Sequence, residues 1–466
     1  MKKLTALFLA LLLLLGAIPT QAQTLQIDSF DLPTLYDGAS TETLEQRLDL
    51  KQLQAYLIQG LQSCPEALDV SAFNLPYTTA VKEALKSLIW YETPELFHVV
   101  GLSFAYWDNS LLQIRPSYCY TADEYRQYFA AADAAADAMV ADLDGLGDPE
   151  KALLLHDRLA LKCTYDERLY TDGTVPMSSR NIYGALVQGN AVCQGYTNAY
   201  LYLLKKVGIE SDSCLSATLN HAWNIVYIDG KAYHVDVTWD DPRHDITGRV
   251  KHTNFLLSSE KMAESHVASD YDTTPADTTY DSAFWQVSDA AFTLLDNELY
   301  YIDSTAQTLN RYADQSVLLE VSDIWYADAS HYWPINSTRL ATDGEALYFN
   351  STDTVYRYLP DGTEAEAVWQ PDRSAGDYFS IYGFDYTDGT LICDLNSSPN
   401  FTAETKETYQ QRTAYTYVPA PIYTSADVVD LLQYLNGDCE APDLDLNGDG
   451  RLSLVDVLRL LKMLVA

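Results

Sequence analysis

Residues 189–208, GNAVCQGYTNAYLYLLKKVG, decide how this chain is read. Gly189 and Asn190 interrupt the preceding segment. Beyond them Tyr196, Ala199, Tyr200, Leu203, Leu204 and Val207 recur at the spacing of one helix face until Gly208 ends the pattern. Cys193 therefore opens an amphipathic helix. A thiol at that position meets free amide N–H groups and the positive end of the helix dipole, which favour thiolate over thiol. The same amides can hold an oxyanion.

The next informative stretch is 221–239, HAWNIVYIDGKAYHVDVTW. Two runs rich in Val, Ile, Tyr and Trp flank Asp229-Gly230, a pair suited to a two-residue turn with positive φ. That turn sets Ile228 opposite Lys231 and, counting outward, Trp223 opposite Asp236 and His221 opposite Thr238. Strand side chains alternate, so His221, Trp223 and Asp236 share a face, with Asp236 diagonal to His221. A carboxylate so placed can orient an imidazole that activates a thiol. Cys193, His221 and Asp236 are the candidate catalytic residues. Taken singly, a cysteine near a helix start is more often buried or disulfide-bonded than catalytic. The arrangement of all three gives the functional reading its weight.

The strings VCQGYTNAYLYLL, HAWNIV and YHVDVTWDDP, in that order, resemble the bacterial transglutaminase-like superfamily. The resemblance runs over roughly residues 150–265, beginning near KALLLHDRLALKCTYDE. It implies a papain-like core with Cys193 as nucleophile, His221 as base and acid, and Asp236 as the orienting group. His156 and Asp157 fall in the early block and read as fold residues. Such proteins pass an acyl group from a thioester either to an amine or to water, so the resemblance leaves the acceptor open. For the side-chain oxyanion donor, Gln188 and Tyr183 both remain candidates.

At 466 residues the chain has length for about three domains. Residues 1–22 combine a Met-Lys-Lys start, an apolar run and a Thr-Gln-Ala ending, the pattern of a secretory signal peptide. The mature protein is expected to be secreted and extracellular. With 29 Lys and Arg against 66 Asp and Glu the formal charge is −37, which argues against nucleic acid and anionic membrane surfaces as partners. Seven cysteines are too few for a disulfide scaffold. The odd number leaves at least one thiol free, while Cys64 with Cys119 and Cys163 with Cys214 are conceivable pairs.

The expected fold class is multidomain α+β. Residues 23–145 read as a supporting α+β region and 146–270 as the cysteine core. Residues 285–418 read as a β-rich repeat region, because LLDNELYYID, DGEALYFN and DGTLICDL each join a turn signal to alternating apolar residues. Leu299, Leu347 and Leu391 recur at intervals of 48 and 44 residues (299 to 347, 347 to 391), the length of a propeller blade. Three such units suit a small open sheet array as well as a propeller.

Residues 422–466 form the last unit. In DLNGDGRLSLVD, Asp445, Asn447, Asp449, the Arg451 carbonyl, Ser453 and Asp456 occupy the oxygen-ligand positions of an EF-hand calcium loop, with Gly450 at its turn. The helical stretches ADVVDLLQYLNG and VDVLRLLKMLVA flank it and resemble each other, and the pair resembles a dockerin. That resemblance implies a cohesin-type scaffold as partner. The first loop departs from the pattern: Thr416, Val418 and Ala420 stand at its leading ligand positions and offer one hydroxyl, so one Ca2+ is expected. Leu454 and Val455 stand where dockerins often carry a hydroxyl pair.

The expected function is an exported cysteine acyl-transfer enzyme acting on amide bonds of a protein or peptide substrate, as peptidase, amidase or transamidase. The alternative is a non-catalytic binding or structural protein of an extracellular assembly.

Overall fold

The computed structural model describes residues 26–30, 50–171, 173–241, 243, 245–266, 275–321, 324–328, 331–334, 338–370, 380–387, 389–396, 411–416, 425–436 and, near the C-terminus, 444, 452–454, 457–458 and 460–461. These fall into two compact units, 1–415 and 416–466.

The first unit begins with an α+β region. Strands β1 (Gln26–Phe30), β2 (Leu68–Asp69), β3 (Val99–Trp107) and β4 (Ser110–Tyr118) form a sheet in the order β1-β3-β4-β2. Helices Leu50–Leu61 and Thr79–Trp90 accompany it. The second helix starts where the Thr78 side chain accepts from Val81 N, and its Leu85 and Leu88 bury beside Leu53 and Leu57 of the first. The same apolar cluster takes in Leu215 and Ala222, so this region packs directly on the strand that carries His221.

Helix Ala122–Val140 follows, started by a reciprocal cap between Thr121 and Glu124 and sustained by its alanines. Helix Asp148–Lys162 and helix Cys193–Lys206 then form the centre of the core. Tyr196, Ala199, Tyr200 and Leu203 bury against Leu155 and Leu159, which is the face expected from their spacing. Between the two helices lie β5 (Thr164–Tyr165), a 3-10 turn at Met177–Arg180, a π-helical turn at Gly184–Gln188 and β6 (Asn190–Ala191), with β5 and β6 paired in parallel.

The sheet of the core is antiparallel, β10-β9-β8-β7, built from β7 (Ser211–Ser216), β8 (His221–Ile228), β9 (Lys231–Val235) and β10 (Phe255–Leu257). Asp229 and Gly230 have φ of 51° and 73°, so the β8–β9 turn is of the kind their sequence favours. The register runs from Ile228 opposite Lys231 to Asn224 opposite Val235, as expected. The expected continuation fails there. Asp236 leaves the ladder, donates its N–H to Asn254 O and caps the helical turn Val237–Asp240, so Thr238 is not a strand partner of His221.

The β-rich region consists of successive antiparallel sheets. The first holds β11 (Thr293–Leu295), β12 (Glu298–Asp303), β13 (Thr308–Arg311) and β14 (Val317–Glu320). A hairpin of β15 (Ile324–Asp328) and β16 (His331–Pro334) follows. The next sheet holds β17 (Leu340–Thr342), β18 (Leu347–Asn350), β19 (Val355–Tyr358) and β20 (Glu366–Trp369). The last holds β21 (Ser380–Thr387), β22 (Thr390–Asn396) and β23 (Gln411–Thr416). Leu299, Leu347 and Leu391 each lie on the second strand of a sheet and are buried. Strand β17 packs against both β11 and β21, so neighbouring sheets meet through their first strands. No closed propeller forms among the described residues.

In the second unit, helix Ser425–Asn436 contributes Leu431 to a small apolar cluster with Leu444, Val457 and Leu460. Of the expected calcium ligands only Ser453 is described; Asp445, Asn447, Asp449, Arg451 and Asp456 lie outside the described residues, as does the segment 1–22. Among the described residues no helix is long and apolar enough to cross a membrane. Cys64, Cys119, Cys163 and Cys214 carry free thiols, so neither conceivable disulfide is formed.

Candidate active site

Cys193 is the first residue of its helix, and two glycines allow the surrounding chain to close on it. A Cβ on Gly195 would come within 2.5 Å of Ser179 O, and one on Gly184 within 2.0 Å of Ser178 O. The 3-10 turn therefore lies directly on the first turn of the helix that Cys193 opens, and Val192 N donates to Ser179 O at 2.8 Å. The hairpin docks on the same helix through Asn224, whose side-chain amide donates to Thr197 O at 3.1 Å. Thr197 in turn donates to Cys193 O at 2.9 Å.

This docking brings the three sequence-predicted residues together. His221 Nε2 lies 2.7 Å from Asp236 Oδ2, and the Cys193 thiol is the other side-chain partner of the ring, which leaves Nδ1 for the sulfur. All three are buried, Asp236 fully. Burial alone would lower the His221 pKa, but the Asp236 charge and hydrogen bond, with the thiol, push it up to about 10. Burial likewise works against an ionised Asp236, yet His221 and then His266 hold its carboxyl well below the usual carboxylate range. Asp236 thus favours the charged form of the ring beside the sulfur.

Sequence reasoning missed three residues here. His266 Nε2 lies 2.8 Å from the same Asp236 Oδ2, while its Nδ1 is 2.9 Å from Ser265 Oγ. Trp239 donates its backbone N–H to Asp236 Oδ1 and places its indole 5.3 Å from the His221 ring and 4.0 Å from that of His266. At 40% exposure it forms the solvent-facing wall. Tyr165, on β5, is near enough that thiolate charge adds to burial and the Tyr170 hydroxyl in pushing its phenol up. Trp239 stands inside the quoted HVDVTWDDP and was legible; His266 follows Asp236 by 30 residues in a stretch without a motif. Of the two oxyanion candidates, Tyr183 stacks on Tyr128 with centroids 4.4 Å apart and Gln188 closes the π-helical turn.

A second buried network flanks the site. His156 Nδ1 is 2.8 Å and His252 Nε2 2.9 Å from Asp157 Oδ1, and Asp157 Oδ2 accepts from Phe292 N at 2.7 Å. His156 Nε2 lies 3.3 Å from Asp240 Oδ2, close enough for attraction but not aligned as a hydrogen bond. Burial disfavours a charged His156, but Asp157 and Asp240 together push its pKa up to about 9. This network ties the helix that carries His156 and Asp157 to the chain around Ser288 and Phe292. The sets His156/Asp157/His252 and His221/Asp236/His266 each bring three potential metal ligands within 4.8 Å of one another. Both are also closed by their own hydrogen bonds.

Residues 134–237 match the family model of the transglutaminase-like superfamily, so the chain contains a transglutaminase-like domain. Among solved structures it is similar to one described as the crystal structure of a TGase, at 14% identity and a TM-score of 0.22. That match covers 30% of this chain and 44% of the other, less than half its length. No curated protein matches.

Proposed function

We propose that the chain is a cysteine acyl-transfer enzyme acting on amide bonds of proteins or peptides. One observation carries the reading: His221 stands between the thiol of Cys193 and the carboxylate of Asp236. The Cys193 thiolate attacks the amide carbonyl carbon, and the helix-start amides stabilise the oxyanion. The C–N bond breaks as His221 gives its proton to the leaving nitrogen, forming a thioester. His221 then takes a proton from the acceptor, which attacks the thioester, forms the new acyl bond and returns the thiolate. Asp236 keeps the ring oriented and balances its charge throughout.

The reading extends to the rest of the chain. The leader-like residues 1–22 support export, and the acidic composition suits an extracellular protein without nucleic-acid or membrane partners. The loop from Asp445 to Asp456 offers carboxylate, amide, carbonyl and hydroxyl oxygens suited to one Ca2+, within a dockerin-like module that attaches to a cohesin-type scaffold. Incubating the mature protein with mixed proteins, with and without a primary amine, tests the reaction by mass spectrometry. Amine incorporated at Gln indicates transamidation and new termini indicate peptidase action; neither product, from an intact triad, would overturn the reading.

A further inference from the structure

Four rings close around one carboxylate oxygen. His221 Nε2 and His266 Nε2 lie 2.7 and 2.8 Å from Asp236 Oδ2, and the indoles of Trp223 and Trp239 pack on both imidazoles. The two tryptophans differ in what lies behind them. Trp223, two residues from His221 on β8, is buried and donates its Nε1–H to His234 Nδ1, so it belongs to the core. Trp239 is 40% exposed, whereas Asp236 and His266 are fully buried and His221 is 6% exposed. Its indole thus has the imidazoles on one side and solvent on the other.

Asp236 fixes that indole itself. Its Oδ1 accepts the backbone N–H of Trp239 at 3.2 Å, as the N-cap of the turn Val237–Asp240, while Oδ2 holds the imidazoles. At the far end of the turn the Asp240 carboxylate accepts from Asn254 N at 3.0 Å and from Asn254 Nδ2 at 2.9 Å. A turn of four residues pinned at both ends leaves its third residue, Trp239, one place to stand.

We propose that Trp239 is a positioning residue: by keeping water off the Asp236–His221 pair, it holds the imidazole charged and aligned on Cys193. Attraction between charges and hydrogen bonding both weaken where water reaches the pair. The groups that face His221 are the Cys193 thiol, Asp236 from the chain after β9 and, across that carboxylate, His266; Tyr165 reaches the thiol from β5. Burial and Asp236 act on the ring in opposite directions and Asp236 prevails, so admitting water weakens the larger influence and loosens the ring's hold on its proton. The inference rests on the acyl-transfer reading for what the ring does in turnover.

The test needs no substrate. Alkylation of Cys193 by iodoacetamide is followed across pH in the full-length chain, by mass spectrometry of the peptide that carries it. A thiolate released from its imidazolium reacts faster, so the profile steps up where His221 loses its proton. Wider access to the sulfur raises the whole profile and leaves the step in place. Trp239→Ala should move the step down by on the order of one pH unit, a tenfold weaker hold on the proton. Trp239→Phe, which keeps a smaller ring over the pair, should give a smaller shift in the same direction. In an Asp236→Asn background Trp239→Ala should move the step no further, because the charge it shields is gone. A step unmoved by Trp239→Ala and Trp239→Phe, or moved equally with and without the Asp236 charge, overturns the proposal. So does an unaltered protein whose profile has no step, since its ring would not be charged beside the sulfur. A shifted step in a protein that turns over no amide supports the role of Trp239 and sinks the proposed reaction instead.

Discussion

His266 donates from Nε2 to Asp236 Oδ2 at 2.8 Å, the oxygen that also holds His221. One carboxylate oxygen thus serves two imidazoles, and His266 acts on the thiol only through Asp236. His266→Gln keeps a donor in place; His266→Leu does not. We expect the Leu variant to lose roughly 10–100-fold in kcat, the worth of a hydrogen bond to a charged group, and the Gln variant to recover part of it. Equal losses in both variants, with no change in the pH profile, would reduce His266 to packing.

Asp236→Asn should lower kcat by about two to four orders of magnitude while the fold persists, because the ring loses its orienting charge. The carboxylate is the main influence holding the His221 pKa near 10, so its removal should draw the alkaline limb of the rate profile to lower pH. A limb that stays in place would detach His221 from the rate.

Cys193 should be alkylated by iodoacetamide faster than the other described thiols. Burial pushes Cys119 up to about 11 and Cys393 up to about 12, and raises Cys64 and Cys163 as well. Peptide mapping after short labelling reads the order directly, and Cys193→Ala should remove turnover. Preferential labelling of Cys64 or Cys119 would argue against a thiolate at the helix start.

Stability should fall on the alkaline side. His156 binds its proton more tightly folded than unfolded, since its pKa rises from 6.5 to about 9. Its contribution is complete below pH about 6.5 and is lost as pH rises toward about 9. Denaturant midpoints measured across that interval should decline, and His156→Gln should flatten the decline. A midpoint constant from neutral to pH 9 would show that the folded and unfolded states bind this proton equally.

Calcium titration of the full-length chain should reveal one site. Asp445→Ala or Asp449→Ala should abolish it, because each removes a carboxylate from the loop. Two equivalent sites would mean that the segment beginning at Thr416 binds as well.

Much of the site was legible because its signals are local. The spacing of Tyr196, Ala199, Tyr200 and Leu203 marks the helix face, and Asp229-Gly230 fixes the strand register down to Asn224 and Val235. What escaped is non-local. Asp236 departs from the ladder because its carboxylate caps the next turn, a preference that strand alternation does not weigh. His266 reaches Asp236 only after the chain has run through β10, and nothing in its neighbours' spacing encodes that return.

Asp157 bears on where this protein can be cut. The carboxylate sits in a helix inside the transglutaminase-like match, which ends at residue 237, yet one of its oxygens is held by Phe292 N. His252, another of its three partners, leans on Ser288 O. A fragment trimmed to the matched residues would leave this buried carboxylate with two of its three donors gone, so a fragment that folds on its own is expected to extend beyond Phe292 into the β11–β14 sheet.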